Sequence, residues 1–491
     1  MIDLAPLVNK SVPFRFKGAD LLLDLSHALF SSYNIDLGTR LLFKAVGRDE
    51  RLASARRILD EGSGVGVVGL AVAKAFPDAQ VEASDRDLLA RAFTERNRLR
   101  NKVKNLRVSP GLLAAGRVEA ETGRPHGASF DYILSNIPAK AGGPVIAAFF
   151  VDAYRRLLPG GRVAVVIVKP LADDARTWLA AAGFSLVAEE RGTMHAVFIG
   201  ERPESVGGDP AANDPAASDP AANDPAANDP TASDPAVGSG ALAGQGEAAP
   251  ETTSPAVEAA GRDSPLPVAA SAGPVITAEA PIARHAGVPG LLDLSALDLS
   301  AYVRREGQFS LGDERYRARG FWGLPDFDTI GFGPLLATGI AARAIAGMLI
   351  RDLLVVEPGV GHAALWAARH IVPERIDAAS RDLLALAATG ANLASLPGRK
   401  PAYRAIDALR LDELERATYD LIMDFPENLP EYDWIEAFWE RSSRLLKKGG
   451  ALVAVASSTS LTRMEKRKPS GFVSRFERKK RGMTGAVWRR E

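Results

Sequence analysis

The segment with the clearest chemical potential is ILDEGSGVGVVGLAVA, in which Gly62, Gly64 and Gly66 separate an apolar run from a helical pattern. Glycines let the backbone approach a ligand closely, and a helix N-terminus presents unpaired N–H groups. The next apolar run ends at Asp85, and a carboxylate at that spacing can accept hydrogen bonds from both hydroxyls of a ribose. The combination predicts a nucleoside-type cofactor, with NAD, FAD and S-adenosyl-L-methionine all compatible.

Short apolar runs alternate with helical patterns on both sides of this loop. Strands are predicted for RRILD, QVEASD, FDYILSN and RVAVVIV, and helices for GVVGLAVAKAF, RDLLARAFTERNRL and PVIAAFFVDAYRRLL. This alternation is typical of a parallel sheet covered by helices on both faces. The run GFSLVAEERGTMHAVFIGE then predicts a terminal antiparallel hairpin.

The chain contains two copies of this pattern. RDLLA occurs at 86–90 and again at 381–385, and the glycine loop recurs at the same spacing as Gly359-Val360-Gly361. Between the copies, DPAAN and DPAAS repeats place a proline at every fifth position, which blocks helices and sheet ladders. We therefore predict two Rossmann-like α/β domains, 1–202 and 289–491, joined by a disordered linker over 203–288.

Two further segments identify a family. SNIPAKAG (Ser135–Gly142) begins at the end of the predicted strand FDYILSN, at the switch point of an open sheet. The second segment, ALFSSYNIDLGTRLL, spans Ala28–Leu42. Both resemble the methyltransferase small-domain family, class I enzymes that include bacterial small-subunit rRNA guanine-N2 methyltransferases. The chain departs from the family motif at Ile137, which replaces a proline, and at Ala139, where many members stack an aromatic ring on the base.

The resemblance implies a mostly parallel seven-stranded sheet with a terminal hairpin, S-adenosyl-L-methionine as cofactor, and a role for each motif residue. Asn136 and the backbone carbonyl near Ile137 or Pro138 would accept the protons of an exocyclic amine, so Asn136 and Pro138 are the predicted catalytic residues. Eight residues are predicted to bind the cofactor: Asp60, Glu61, Gly62, Gly64, Gly66, Asp85, Arg86 and Leu112.

The second copy lacks most of these groups. The substitutions are Val355 for Asp60, Glu357 for Gly62, Pro358 for Ser63, Ser380 for Asp85, and Asp424 or Phe425 for Asn136. Glu357 would repel the cofactor carboxylate, and Ser380 can serve only one ribose hydroxyl. We therefore predict a degenerate methyltransferase-like domain, with the alternative that Glu357 or Asp424 compensates.

Composition restricts the possible partners. Lys+Arg and Asp+Glu number 60 each, so any contact with RNA must come from local basic stretches, of which Arg96–Val108 and the residues from Arg463 onward are the candidates. The chain has no cysteine, which excludes disulfides, thiolate zinc sites and a thiol nucleophile. We expect a cytoplasmic protein with no membrane segment and no metal.

The leading hypothesis is an S-adenosylmethionine-dependent methyltransferase that acts on guanine N2 of rRNA or of a ribosomal subunit. One alternative keeps the cofactor but changes the acceptor to a protein glutamine amide or a small molecule. Another is a catalytically dead factor retained for RNA binding or assembly.

Overall fold

The computed structural model describes residues 4–30, 33–117, 130–204, 291–408, 411, 414–428 and 432–491. The predicted linker, 203–288, lies outside the described residues except for 203 and 204, so its disorder stays a prediction. We call residues 4–204 the first domain and residues 291–491 the second domain. The described parts of both belong to one compact unit.

The first domain is a β-hairpin followed by an α/β sheet. Its strands are β1 (Val8–Phe16), β2 (Ala19–Ser26), β3 (Arg57–Glu61), β4 (Gln80–Asp85), β5 (Leu106–Leu112), β6 (Gly116–Arg117), β7 (Phe130–Asn136), β8 (Leu157–Val168), β9 (Ser185–Arg191) and β10 (His195–Glu201). Its helices are α1 (Leu37–Val46), α2 (Glu50–Ser54), α3 (Val67–Ala75), α4 (Leu88–Arg100), α5 (Gly143–Arg156) and α6 (Ala172–Ala181). The sheet order is β6-β5-β4-β3-β7-β8-β10-β9.

The apolar strands divide their side chains between two helical layers. Along β7, Tyr132 and Leu134 join the core formed with α1, α3, α4 and the β1–β2 hairpin. Ile133, between them, joins the core formed with α5 and α6. Since successive side chains of a strand point to opposite faces, a near-continuous apolar run fills both cores.

The second domain repeats this architecture. Its strands are β11 (Leu291–Leu292), β12 (Val303–Leu311), β13 (Glu314–Phe321), β14 (Asp352–Val356), β15 (Arg375–Ser380), β16 (Ala402–Asp407), β17 (Tyr419–Asp424), β18 (Leu446–Ser457), β19 (Phe472–Lys480) and β20 (Met483–Arg490). Its helices are α7 (Phe332–Ala344), α8 (His362–His370), α9 (Leu383–Ala394), α10 (Trp434–Leu445) and α11 (Ser458–Lys466). The order β11-β16-β15-β14-β17-β18-β20-β19 matches that of the first sheet.

Both sheets confirm the predicted α/β class, with parallel central strands and a terminal antiparallel hairpin. The strand number needs a correction, because each sheet has eight strands rather than seven. The extra strand is a two-residue edge strand, β6 in the first domain and β11 in the second. The hairpins β1–β2 and β12–β13 were not predicted either.

The repeated pentapeptide RDLLA is the place where the two domains meet. The Leu88 N–H donates to the Arg381 carbonyl at 2.8 Å, and the Leu383 N–H donates to the Arg86 carbonyl at 3.1 Å. Asp87 and Asp382, the second residues of the two pentapeptides, form an isolated antiparallel bridge. The two copies thus contact each other through equivalent residues in both directions, as in an isologous dimer interface.

One buried ion pair breaks this symmetry. Arg91, on α4, donates to both carboxylate oxygens of Asp407, at the end of β16, at 2.8 and 2.7 Å. The position equivalent to Arg91 in the second repeat is Leu386, which is fully buried. The junction is therefore polar on one side of its pseudo-twofold axis and apolar on the other.

Candidate cofactor and acceptor site

The glycine loop connects β3 to α3. Every second residue of the loop has a left-handed backbone conformation. Gly62, Gly64 and Gly66 have φ angles of +77°, +57° and +86°, a region that side chains other than glycine rarely adopt. A Cβ placed on Gly62 or Gly64 would meet no atom within 4 Å. The loop therefore borders open space in front of the N-terminus of α3, as a cofactor cradle requires.

Asp85 lies at the end of β4 and is tied to this loop. One carboxylate oxygen accepts from the Gly64 N–H at 2.9 Å and the other accepts from the Asp87 N–H at 2.9 Å. Burial raises the pKa of Asp85 to about 6. Each oxygen retains further lone pairs, so the predicted acceptance of ribose hydroxyls is compatible with these contacts.

Asp60 and Glu61 lie beneath the loop, and both are 1% exposed. Asp60 accepts from the Gly69 N–H at 2.7 Å and so fixes the first turn of α3. Glu61 contacts Arg156 at 3.1 Å and accepts from the Ser84 hydroxyl at 3.1 Å. The carboxylate of Glu61 is engaged in a buried ion pair, and the role of Glu61 in cofactor binding stays a prediction.

Arg86 and Leu112 are turned toward the second domain. The Arg86 guanidinium donates to the Gly323 carbonyl at 3.0 Å and lies 3.2 Å from the Asp382 carboxylate. Leu112 is fully buried in the hydrophobic cluster that includes the second-domain core. Both side chains contact the second domain, so only their remaining atoms could contact the cofactor.

Asn136 ends β7 beside the glycine loop, because β7 pairs with β3 so that Ser135 faces Glu61. Its amide nitrogen lies 3.0 Å from the Thr39 hydroxyl and 3.3 Å from the Asp36 carboxylate. Since a carboxylate accepts hydrogen bonds but does not donate them, the nitrogen faces Asp36 and the carbonyl oxygen Oδ1 points the other way.

The neighbouring motif residues have separate roles. Ile137 is 2% exposed and anchors the segment in the core, whereas Pro138 and Ala139 are exposed. The contacts of Asp36 and Thr39 with Asn136 were not predicted from the sequence. The Asp-x-Gly-Thr segment at the start of α1 was the available signal, and Asp36 also caps α1 by accepting from the Thr39 N–H at 2.9 Å.

The equivalent loop of the second domain is contacted by protein atoms that have no counterpart in the first. Glu357 stands in place of Gly62 at a φ of +54°, and its carboxylate accepts from the Ser380 hydroxyl at 2.7 Å. Burial raises the pKa of Glu357 to about 7. Pro325 lies 3.7 Å from the Cβ position of Gly359, so a neighbouring segment covers the loop. A side chain and a proline thus fill space that is open in the first domain.

Strand register identifies the residue that replaces Asn136. Val356, the counterpart of Glu61, pairs with Asp424, just as Glu61 pairs with Ser135. Asp424 therefore corresponds to Ser135, and Phe425 corresponds to Asn136. The second domain has an aromatic ring where the first has the amide, which resolves the ambiguity left by sequence alignment.

Three arginines of the first predicted RNA-binding stretch are paired with carboxylates of the first domain. Arg96 and Arg100 bond opposite oxygens of Asp24, at 2.8 and 2.7 Å. Arg98 pairs with Glu95 at 2.7 Å. The stretch also follows the C-terminus of α4, at the sheet edge opposite the glycine loop. It offers little to a substrate bound at Asn136.

The second basic stretch forms the exposed tip of the β19–β20 hairpin. Arg478, Lys480 and Arg481 are exposed, and the last two lie 5.6 and 5.2 Å from the ring centre of Phe332. Ser457, at the end of β18, pairs with Met483, which places this tip at the same sheet edge as the second-domain loop.

Two kinds of feature are absent from the residues that the structure describes. No helix among them is long and apolar enough to cross a membrane. Within the same residues, no cluster of three or more histidine or carboxylate side chains could hold a metal ion.

Comparison with known proteins shows what the first domain is similar to. Residues 21–186 match the family model described as methyltransferase small domain. The chain is 29% identical to the uncharacterized protein YbxB of Bacillus subtilis over 32% of this chain and 73% of that protein. It is 33% identical to the ribosomal RNA small subunit methyltransferase C of Hahella chejuensis, over 28% of this chain and 37% of the relative.

Similar coverage holds for a large-subunit enzyme. Identity to the ribosomal RNA large subunit methyltransferase G of Streptomyces coelicolor is 32%, over 34% of this chain and 43% of the relative. The chain thus spans less than half the length of these two rRNA methyltransferases.

A solved structure resembles both domains together. The T. thermophilus 16S rRNA N2 G1207 methyltransferase, in complex with AdoMet and guanosine, superposes with a TM-score of 0.55 over 99% of both chains, at 16% identity. At that identity the likeness concerns the fold. With the matched motifs, the glycine loop and the sheet order, the first domain of this chain is similar to the methyltransferase small-domain family over residues 21–186.

Proposed function

We propose that the chain is an S-adenosylmethionine-dependent methyltransferase that acts on the N2 amine of guanine in rRNA, with its active site in the first domain. The observation that carries the proposal is the orientation of Asn136. Its Oδ1 is directed away from Asp36 and Thr39, at the same sheet edge as the open glycine loop. The rRNA methyltransferases among the relatives support the choice of substrate.

The glycine loop fits the cofactor, because Gly62 and Gly64 leave the space that a Cβ would occupy. Gly62, Gly64 and Gly66 would approach its amino-acid part, and Asp85 would accept from its ribose. When bound, S-adenosylmethionine supplies a methyl group already activated by a sulfonium centre. The protein therefore contributes positioning rather than a strong base.

Asn136 acts on the acceptor. Its Oδ1 accepts one N–H of the exocyclic amine, and the backbone carbonyl near Ile137 or Pro138 accepts the other. These bonds favour a pyramidal nitrogen whose lone pair is directed toward the methyl group. Asp36 and Thr39 act through Asn136 as positioning residues, since they hold its amide in the accepting orientation.

RNA is the proposed partner, and the tip of the β19–β20 hairpin is the proposed auxiliary contact. Its exposed cations suit phosphate groups, and such binding weakens steeply with salt. Replacing Arg478, Lys480 and Arg481 together should flatten that salt dependence. The proposal places the enzyme in the cytoplasm with its substrate.

The decisive assay is transfer of a labelled methyl group from S-adenosylmethionine to total RNA and to total protein from a strain that lacks this chain. We expect label in rRNA, recovered as N2-methylguanosine by nucleoside mass analysis. Label in protein alone would overturn the RNA assignment in favour of a glutamine amide acceptor. The absence of transfer to either pool, together with bound cofactor, would indicate a non-catalytic factor.

A further inference from the structure

The end of the β12–β13 hairpin, in the second domain, packs directly against the first domain. Trp322 follows β13, and a Cβ placed on Gly142 would lie 2.5 Å from Cδ2 of its indole. Gly142 has a φ of +90° and immediately precedes α5. Only glycine allows this approach, so the indole lies flush against the end of the acceptor motif.

Tyr302 makes a second contact from the same hairpin. Its hydroxyl accepts from the Ala114 N–H at 3.1 Å, and the residue is 3% exposed. The backbone N–H of Trp322 in turn donates to the backbone carbonyl of Tyr302 at 2.7 Å. The Arg304 guanidinium lies over the indole, 4.2 Å from its centre. These contacts hold Tyr302 and Trp322 together as one rigid surface, which we call the Tyr–Trp wall.

The wall borders the part of the first domain where a base would lie. Asp85 pairs with Pro110 of β5, so a base attached to a ribose at Asp85 extends over the end of β5. That end continues into Leu113 and Ala114, which pack with Trp322 against the same hydrophobic cluster. The wall is thus on the adenine side of the cofactor cradle, away from the glycines.

A third contact ties the wall to the residue after the ribose acceptor. The Arg86 guanidinium donates to the carbonyl of Gly323, the residue that follows Trp322, at 3.0 Å. A Cβ on Gly323 would lie 2.9 Å from that guanidinium. The hairpin end is therefore fixed both to the β4 side and to the β5 side of the cradle.

We propose that the Tyr–Trp wall of the second domain closes the adenine side of the cofactor site in the first domain. The inference rests on the proposed function, because it assumes that S-adenosylmethionine binds there. Tyr302 immobilises the backbone at Ala114, and Trp322 shields the base from water with an apolar surface. The silent copy then contributes positioning residues to the active one.

The test uses the full-length chain with Trp322→Ala, Trp322→Phe and Tyr302→Phe. Calorimetric titration should show S-adenosylmethionine bound about tenfold more weakly by Trp322→Ala, the scale for truncating a buried aromatic contact. Adenosine alone, which lacks the methionine part, should lose affinity by the same factor. Trp322→Phe should recover most of the loss, since a ring still covers the base.

Two readouts separate binding from folding. Arg317→Ala changes an exposed residue on β13 of the same hairpin and should leave both affinities unchanged. Bound cofactor should quench tryptophan fluorescence in the wild type and quench it less in Trp322→Phe. Undiminished quenching there would contradict a wall next to the base.

The outcomes also separate this inference from the proposed function. A wild-type chain that binds the cofactor, with a Trp322→Ala variant that binds it equally well, overturns the wall and leaves the methyltransferase assignment intact. A variant with a lower melting temperature but unchanged affinity overturns it as well, because Trp322 would then serve domain docking alone. A wild-type chain that binds no S-adenosylmethionine overturns the proposed function itself.

Discussion

The glycine loops of the two domains have the same backbone conformation and differ in the side chains around them. Gly64 and Gly66 have φ angles of +57° and +86°, and their counterparts Gly359 and Gly361 have +59° and +95°. In the first loop the position before them is Gly62, which borders open space, and in the second it is Glu357. The turn needs only the last two glycines, whereas a ligand needs the first as well.

The position of the carboxylate residue also differs between the two domains. In the first domain the carboxylate belongs to the strand, where Asp85 accepts from the loop N–H of Gly64. In the second it belongs to the loop, where Glu357 accepts from the strand hydroxyl of Ser380. Both arrangements tie loop to strand and so preserve the fold. Only the first leaves a carboxylate at the strand end beside a loop whose Gly62 and Gly64 border open space.

A buried charge at the junction of the copies should give the largest effect. Asp407→Ala leaves Arg91 buried without its carboxylate, and we expect a loss of about 3–5 kcal/mol in the free energy of unfolding, measured by chemical denaturation. Arg91→Leu combined with Asp407→Leu should recover most of it. Glu306→Ala, which breaks an exposed pair with Arg317, is the matched control and should cost little. An Asp407→Ala chain of wild-type stability would show that the two copies do not depend on this contact.

Turnover should separate the acceptor positions of the two copies. Asn136→Ala should lower kcat by about 10²–10³-fold, the scale for removing one polar group that stabilises a transition state, while cofactor affinity changes little. Adding Phe425→Asn restores an amide in the second domain, yet the double variant should stay inactive because Glu357 and Ser380 replace Gly62 and Asp85 beside it. Recovery of methyl transfer in the double variant would mean that the second copy can catalyse.

Cofactor affinity should depend on Asp85, at the end of β4, and not on Ser380, at the end of β15. Asp85→Ala should weaken S-adenosylmethionine binding by roughly 2–3 kcal/mol, since charge-assisted bonds to the ribose are lost. The equivalent change in the second domain, Ser380→Ala, should have no effect on a calorimetric titration. Unchanged affinity in Asp85→Ala would remove that carboxylate from the site.

The smallest effect concerns pH. Burial raises the pKa of Asp60 in the folded chain from 3.8 to about 7. A raised folded pKa favours folding at low pH, so this contribution is lost as pH rises from about 4 to about 7. Asp60→Asn cannot ionise, and its melting temperature should gain on the wild type across that window and run parallel above it. The exposed variant Asp174→Asn should show no such divergence, and a constant offset for Asp60→Asn would contradict the buried-acid account.

Much of this comparison could be predicted from sequence, because it depends on local signals. The repeat of RDLLA and of the glycine loop defined two copies, and the alternating patterns defined their central strands. The β1–β2 hairpin was missed although its turn, Lys17-Gly18, has the glycine expected of a tight hairpin; both residues have positive φ, at 46° and 83°. Its strands lie outside the periodic βα pattern on which the prediction depended.

The remaining features required three dimensions. Alignment could not choose between Asp424 and Phe425, because the gap before them is variable and only strand pairing sets the register. The resemblance placed Glu61 among the predicted cofactor residues, and only the structure shows that its side chain lies in the core and contacts Arg156. The contacts of Arg86 with the second domain depend on how the copies dock, which no local pattern encodes.

The central claim is that one copy binds the cofactor and the other does not. Calorimetric titration of the full-length chain with S-adenosylmethionine tests it most directly, since it reports stoichiometry and affinity together. The account predicts one molecule bound per chain, with binding weakened by Asp85→Ala and unchanged by Ser380→Ala. Two molecules per chain, or a single site that survives Asp85→Ala and disappears with Ser380→Ala, would contradict it.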